Sequence, residues 1–209
     1  RRRRKRRKRL RVAVVVAKRA GHRLLDKTVL KASPTVPLSN NGEDSRGGAF
    51  LFYFIMSSLL YLVIHCTATL EGREVSAAEI RHWHTAPVSR GGRGWKQVGY
   101  TDMIHLDGRV ERLVQNNEDA MVDPWEITNG AAGYNAVSRH IVYVGGCDRA
   151  GKPKDTRTEA QREALKRYVQ DFHRRFPQIR IVGHHELNPG KACPCFDVRE
   201  IAPPPKGGE

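Results

Sequence analysis

The sequence predicts a single α/β domain in which a mixed central β-sheet is packed with helices. Short apolar runs typical of buried strands alternate along the chain with two amphipathic stretches typical of helices, and turn-forming residues separate them. The length of 209 residues suits one domain with a short appendage, and the sequence contains no internal repeat.

The first strand and the first helix are predicted in the segment that follows Met56. Leu59–His65 is a nearly continuous apolar run, as expected for a strand that is buried on both faces. Ser76–Thr85 is predicted to form a helix, because its first residue and Glu79 have the spacing of a capping box. Residues 88–98 are rich in Gly and Arg and are predicted to form a loop.

The middle of the chain predicts a hairpin and a further strand. Tyr100–Leu106 and Arg109–Val114 flank an Asp-Gly pair, which is a common turn between antiparallel strands. Residues 115–136 are polar and are predicted to be irregular. The run His140–Val144, which a Gly-Gly pair closes, predicts another strand of the sheet.

The C-terminal part predicts the second helix and the last strand. Thr158–Phe172 has an apolar stripe at helical spacing, and its first residue forms a capping pair with Gln161. Ile179–Gly183 is predicted to be a short strand, and residues 184–197 are predicted to be a loop. A short helix is predicted to begin within Val198–Ile201, because three prolines follow and stop it.

Most of the positive charge lies in one segment. The formal net charge is +15, but residues 1–55 hold 16 Lys and Arg against 3 Asp and Glu, whereas residues 56–209 hold 21 against 19. We therefore expect a basic, disordered N-terminal extension over residues 1–55, a folded domain over residues 56–202 and a C-terminal tail over residues 203–209. A functional basic arm that binds anionic polymers is the alternative for the first segment.

Neither a membrane span nor a secretory leader is predicted. The apolar stretch Ala49–Ile64 is 16 residues long and contains two serines, so it is short for a transmembrane helix. The apolar run Val12–Ala17, behind the arginine-rich start, is shorter than the core of a signal peptide.

The cysteines are expected to be thiols rather than disulfides. A chain of this length can bury a core without cross-links, and Cys193 and Cys195 are too close in sequence to bridge comfortably. The other two are Cys66 and Cys147. At least one of the four thiols is therefore expected to be available as a metal ligand.

Three side chains near strand ends have the chemistry of metal ligands. His65 ends the first predicted strand, His184 directly follows the last, and Cys193 lies nine residues further on. Two imidazoles and one thiolate form a zinc set with an open fourth position, which is typical of catalytic sites. Buried histidines of the core and an apolar buried cysteine are the alternatives, and the spacing alone leaves them open.

Seven motifs, in sequence order, resemble one family of cell-wall enzymes. They are IHCTAT at 64–69, EIRHWH at 79–84, GWKQVGY at 94–100, DGRVE at 107–111, GYNAVS at 133–138, VGG at 144–146 and HHELNPGKACPCFDV at 184–198. Together they resemble the N-acetylmuramoyl-L-alanine amidases of the phage-lysozyme type, which share a fold with the peptidoglycan recognition proteins. The resemblance spans about residues 59–201 and implies that fold for this chain.

The resemblance also implies the site. It assigns one zinc ion per chain to His65, His184 and Cys193. It assigns two residues to the reaction itself: Tyr100, whose phenol can hydrogen-bond the attacking water, and Lys191, whose charge suits a developing oxyanion. In the family, such a site hydrolyses the amide bond between the muramoyl lactyl group and L-alanine of peptidoglycan.

The substrate groove is predicted to include four residues of the loops. They are His84, Arg93, Trp95 and Asn135. A tryptophan with neighbouring arginines can meet sugar faces and the carboxylates of a stem peptide. The chain departs from the family ahead of its GYN motif, where many relatives have a histidine that faces the cleft and this chain has Asn129 and Gly130.

The sequence therefore predicts a zinc-dependent peptidoglycan amidase that is monomeric. One alternative is a recognition module that binds peptidoglycan without cutting it. Members of the resembling family that only bind peptidoglycan lack the ligand cysteine, which is present here. The other alternative is a nucleic-acid-binding protein that uses the basic arm, but the sequence contains no motif that recognises the grooves of a nucleic acid. Because no leader is predicted, we expect cytoplasmic synthesis and action on the cell wall after release, as for a phage endolysin.

Overall fold

A five-stranded sheet forms the centre of the protein, whose computed structural model describes residues 57–203. Its strands are β2 (Tyr61–Cys66), β4 (Asp102–Ile104), β5 (Val110–Arg112), β7 (Ser138–Tyr143) and β9 (Arg180–Gly183). They lie in the order β5-β4-β7-β2-β9. The pairs β4–β7, β7–β2 and β2–β9 are parallel, and β5 pairs antiparallel with β4. The mixed sheet predicted from the sequence is thereby confirmed.

Two short strand pairs flank this sheet. One consists of β1 (Ser57–Ser58) and β6 (Met121–Val122) and is antiparallel, and the other consists of β3 (Thr69–Leu70) and β8 (Gly146–Cys147) and is parallel. The expectation of an irregular segment over 115–136 is wrong at β6. A strand of two residues is too short to show a period in the sequence.

The long helix α2 (Glu159–Arg175) covers one face of the sheet. Its amino end has the predicted capping box, in which Thr158 and Gln161 each accept a hydrogen bond from the backbone N–H of the other. The helix continues three residues beyond the predicted end. Its apolar stripe, which includes Leu165, Val169 and Phe172, packs into one core with inward-facing strand residues. Those strand residues include Leu62, Ile64 and Ile141.

The shorter helix α1 (Ala77–Thr85) packs on the opposite face. Ser76 caps it and forms the predicted capping box with Glu79. Its buried Ile80 joins a second core whose other members include Val98, Met103, Val142 and Val144. Successive residues of β7 belong alternately to the two cores, as expected for a strand between two layers.

The last part of the described chain contains a helical turn that the sequence analysis missed. The prediction of a loop over residues 184–197 is wrong at its start, because α3 (His184–Leu187) follows β9 without a break. The carboxylate of Glu186 accepts a hydrogen bond from the backbone N–H of Gly183 at 2.7 Å and thereby caps this turn. A 3-10 helix at Val198–Glu200 lies where a short helix was predicted.

The described residues include no helix that is long and apolar enough to cross a membrane. The first half of the apolar stretch Ala49–Ile64, and the whole of the basic segment 1–55, lie outside residues 57–203. The same holds for the tail beyond residue 203. The expectations for those segments therefore stay predictions.

Candidate active site

The sheet register brings the two predicted histidine ligands side by side. His65 is the fifth residue of β2, and His184 is the first residue after β9. Ile64 is paired with Gly183, so each histidine directly follows the same rung of two neighbouring parallel strands. Their ring centroids are 4.7 Å apart. Two residues that lie 119 positions apart in sequence thus share one edge of the sheet.

The loop after α3 delivers the predicted thiol to the same place. The backbone carbonyl of Cys193 accepts a hydrogen bond from the N–H of His185 at 2.8 Å, which fixes the loop against α3. The N–H of Cys66, at the end of β2, donates to the Cys193 sulfur at 3.2 Å. This backbone donor holds the sulfur at the end of β2, beside His65. The Cys193 Sγ lies 3.7 Å from Nδ1 of His65.

These three side chains form a group that could hold a metal ion. One ligand atom from each of His65, His184 and Cys193 lies within 4.8 Å of the others, and within residues 57–203 no second group of this kind is found. A tetrahedral zinc ion with Zn–N bonds of about 2.0 Å and Zn–S bonds of about 2.3 Å would separate the nitrogen and the sulfur by about 3.5 Å. The observed separation of 3.7 Å fits this geometry.

The electrostatics keep the two imidazoles neutral. Burial, followed by the charges of His140 and His184, holds the pKa of His65 well below its ordinary value. Burial and then the charge of Lys191 lower the pKa of His184. A neutral imidazole offers the lone pair that a metal requires, so the ligand pair is ready for a metal near neutral pH.

A third buried histidine contacts the ligand set, and the sequence analysis did not assign it to the site. His140 lies in β7, is fully buried, and has its Nδ1 3.0 Å from Nε2 of His65. Burial, with a smaller contribution from His184, lowers the pKa of His140 to about 3. The available signal is a histidine that directly precedes the apolar run Ile141–Val144 in the sequence.

Tyr100 and Lys191 differ in how closely the structure ties them to the ligands. The ring of Tyr100 is partly buried, and its centroid is 5.3 Å from that of His65. Burial is the main cause that raises the pKa of Tyr100, so its phenol keeps its proton. Lys191 is exposed, and its backbone N–H donates to the carbonyl of Asn188 at 3.0 Å. Its charge is close enough to lower the pKa of His184.

Beside the ligands, Tyr100, His84 and Trp95 form an aromatic wall, and Arg93 lies against it. The last three are predicted groove residues. His84 stacks on Trp95 with ring centroids 4.9 Å apart and meets Tyr100 edge-on at 5.3 Å. The guanidinium of Arg93 lies over the Trp95 ring at 5.1 Å. His84 is itself buried, and its Nδ1 accepts a hydrogen bond from the N–H of Gly99. It therefore supports the wall from behind, whereas Trp95 is partly exposed and Arg93 is exposed.

Asn135, the fourth predicted groove residue, serves its own loop. Its side-chain oxygen accepts a hydrogen bond from the N–H of Ala131 at 2.8 Å. Asn129 likewise donates from its side chain to the carbonyl of Gln97, at 2.8 Å. No hydrogen bond in the described part of the chain joins Asn135 to the ligand group. Among the described residues, the side chain of Asn135 is therefore tied to its own loop by a hydrogen bond rather than to the ligand group.

All four cysteines are free thiols, as the sequence predicted. The sulfur of Cys195 lies 3.8 Å from that of Cys66 and is directed at the carbonyl of Gly146. Contact with Cys193, together with burial, raises the pKa of Cys66 to about 12. The hydrogen bond with Cys66, followed by burial, also raises the pKa of Cys195, so Cys66 and Cys195 both stay protonated.

Comparison with known proteins places this geometry in a wider context. Residues 56–196 match the protein family described as N-acetylmuramoyl-L-alanine amidase. The chain is similar to the endolysin of Enterobacteria phage K11, at 35% identity over 65% of this chain and 80% of the phage protein. It is similar to the endolysin of Escherichia phage T7, at 34% identity over 66% and 82%. Among solved structures, the Ph2119 endolysin from a Thermus scotoductus bacteriophage matches 69% of this chain and 83% of its own, with a TM-score of 0.53 and 26% identity.

Proposed function

The chain belongs to the N-acetylmuramoyl-L-alanine amidase family, and we propose that it uses a zinc-activated water to hydrolyse the amide bond between the muramoyl lactyl group and L-alanine of peptidoglycan. The observation that carries this proposal is the group formed by His65, His184 and Cys193. Its three ligands leave one position open, as hydrolytic zinc sites do and structural sites do not. The similarity to phage endolysins supports peptidoglycan as the substrate.

The ligand group is proposed to hold one zinc ion per chain. When bound, zinc lowers the pKa of a water molecule toward neutrality and polarises a carbonyl group. The protein contributes two neutral imidazoles and one sulfur, so the ligands compensate only part of the charge of the metal. His65 presents Nδ1 toward the sulfur of Cys193, because its Nε2 already contacts His140.

Two further residues are proposed to act on the reacting groups. Lys191 is exposed on the loop that carries Cys193, and its ammonium group can stabilise the negative charge that develops on the scissile carbonyl oxygen. Tyr100 keeps a protonated phenol beside His65 and can donate a hydrogen bond to the attacking water or to the same oxygen. Neither role requires these residues to ligate the metal.

Substrate binding is proposed to use the aromatic wall. Trp95, with Arg93 above it, offers a face for a sugar ring and a cation for a stem-peptide carboxylate. His84 holds the loop behind Trp95 in place. Asn135 is proposed to act indirectly, by shaping the loop that follows Ala131.

The proposal is tested by digestion of purified peptidoglycan. New free amino groups without new reducing sugars, lost with a chelator and regained with zinc, are the expected result for an amidase. New reducing sugars would point to a glycosidase. Cosedimentation with the wall without any product would instead establish a recognition module.

A graded pair of variants separates metal binding from catalysis. Cys193→Ala is expected to lose both zinc and activity, because it removes a ligand. Lys191→Ala is expected to keep zinc and to lose about 10²–10³-fold in rate, since this is the typical worth of one oxyanion donor. Metal content by atomic absorption and the rate of amine release measure the two effects. Full activity of Lys191→Ala would reject its assigned role.

The activity is proposed to lie within residues 56–202 and to belong to a monomer. A chain that begins at Met56 is expected to match the full chain in rate of amine release. A large loss on removing residues 1–55 would favour the basic arm as part of the working enzyme. We further propose that the protein acts on the cell wall after its release from the cell that makes it.

A further inference from the structure

His140 is buried in a way that its own strand does not explain. Its side chain is fully buried, although the residues that follow it in β7, from Ile141 to Tyr143, belong to the apolar cores. Its Nε2 has no hydrogen-bond partner among the residues that the structure describes. Its Nδ1 makes one contact, at 3.0 Å, with Nε2 of His65. A buried imidazole is costly unless it is hydrogen-bonded, so the link to His65 is the one interaction that offsets this cost.

The backbone of His140 is held by hydrogen bonds, and its ring packs against a glycine. The backbone of His140 exchanges hydrogen bonds with Thr101, whose N–H donates to the His140 carbonyl at 2.7 Å and whose hydroxyl accepts from the His140 N–H at 3.2 Å. Gly130 packs directly on the ring, and a Cβ atom there would lie 2.5 Å from Nδ1. Gly130 thus gives the ring the space that it occupies beside His65.

The proton between the two rings decides whether His65 can bind a metal. One hydrogen bond between two neutral rings contains one proton. If His65 Nε2 carries it, His65 Nδ1 is bare and faces the Cys193 sulfur at 3.7 Å. If His140 Nδ1 carries it, His65 must keep its own proton on Nδ1 and loses the lone pair that faces the sulfur.

We infer that His140 is a positioning residue, which accepts the Nε2 proton of His65 and thereby holds His65 in the tautomer whose Nδ1 binds the metal. Outer partners of metal-bound histidines are usually carboxylates, backbone carbonyls or water. A neutral imidazole in this place orients the ligand without adding negative charge to a group whose cysteine would bind the metal as a thiolate. The inference rests on the proposed function, because it requires a metal at the ligand group.

The test compares zinc affinities of the full chain and its variants by competition with a chromophoric chelator. His140→Phe keeps a buried ring but removes the acceptor, and we expect it to weaken zinc binding about 10–100-fold. His140→Asn places an amide oxygen near the position of Nδ1, and we expect it to recover most of that loss. The matched control is His82→Phe, which makes the same exchange at an exposed histidine of α1 and should leave the affinity unchanged.

A second measurement reports the proton directly. Long-range nitrogen–proton correlation spectra of the zinc-loaded, unaltered chain distinguish protonated from bare ring nitrogens. We expect His65 and His140 both to carry their proton on Nε2. A folded His140→Phe that binds zinc as tightly as the unaltered chain, or a proton on Nδ1 of either ring, would overturn the inference. If His140→Phe does not fold, the spectra decide alone.

The two proposals fail separately. An unaltered chain that neither binds zinc nor releases amines would reject the proposed function, and the role of His140 with it. An unaltered chain that does both, while His140→Phe keeps full zinc affinity, would reject the role of His140 alone.

Discussion

His84 is expected to make the stability of the metal-free protein depend on pH. Its ring is 7% exposed, and its Nδ1 accepts a hydrogen bond from the N–H of Gly99 at 3.1 Å. Burial, followed by the charge of Arg93, lowers the pKa of His84 from 6.5 to about 4. Acid must therefore place a proton on a buried nitrogen that is already accepting a hydrogen bond, whereas the unfolded chain takes the same proton freely.

The size of the effect follows from these two pKa values. Between pH 6.5 and about pH 4 the unfolded state binds more protons at this residue than the folded state does. The stabilisation by the neutral ring is therefore complete above pH 6.5 and is lost as the pH falls toward 4. The whole shift corresponds to about 3 kcal/mol of unfolding free energy, of which about 2 kcal/mol is lost by about pH 5.

The assay is urea unfolding in the presence of a chelator, for the unaltered chain and for His84→Asn. The asparagine oxygen can accept the hydrogen bond from Gly99 but does not titrate. Both proteins contain the other histidines, so the contributions of those residues cancel when the two unfolding free energies are subtracted. Between about pH 7.5 and about pH 5, we expect the unaltered chain to lose about 2 kcal/mol of unfolding free energy relative to His84→Asn. A difference that is constant over this range would refute the role assigned to His84.

Two further substitutions probe the packing behind the site. Gly130→Ala should destabilise the fold by about 1–3 kcal/mol in urea unfolding, because the new methyl group would meet the ring of His140 at 2.5 Å; an unchanged midpoint would show that the ring can move away. Tyr168→Phe should cost about 1–3 kcal/mol, because the phenol donates to the buried carboxylate of Asp102 at 2.6 Å. Thermal unfolding measures this cost, and a melting temperature equal to that of the unaltered chain would contradict it.

The elements with strong local signals could be predicted from the sequence. Both long helices begin at capping boxes, which place a serine or threonine three residues before a glutamate or glutamine. The turn between β4 and β5 contains Gly108 at a φ of +83°, a conformation that glycine adopts without strain. The five strands of the central sheet are predicted as well, although β2 begins two residues later than expected, because an apolar run does not mark where pairing starts.

The parts that escaped prediction depend on contacts distant in sequence. The spacing of His65 and His184 in the sequence does not predict that they lie close together. They do so because β2 and β9 are neighbours in the sheet. His140 looked like an ordinary strand residue, since its partner lies 75 positions away. The helical turn at His184 is four residues long and relies on one capping carboxylate, so its sequence shows no helical period. Without the structure, only the resemblance to a family indicates that these ligands form one site.

The rung shared by Ile64 and Gly183 bears on how such a domain can diverge over evolutionary time. The separation of the two histidines that follow it is fixed by the distance between neighbouring strands, about 4.8 Å, whatever the length of the chain between them. Insertions and deletions in the intervening loops can therefore remodel the groove for a different wall polymer while the ligands stay in place. A deletion of one residue within β2 or β9 would instead turn the ligand to the opposite face of the sheet. Proteins that evolve from this fold can therefore vary in loop length, but the alternation of side chains along β2 and β9 must be kept.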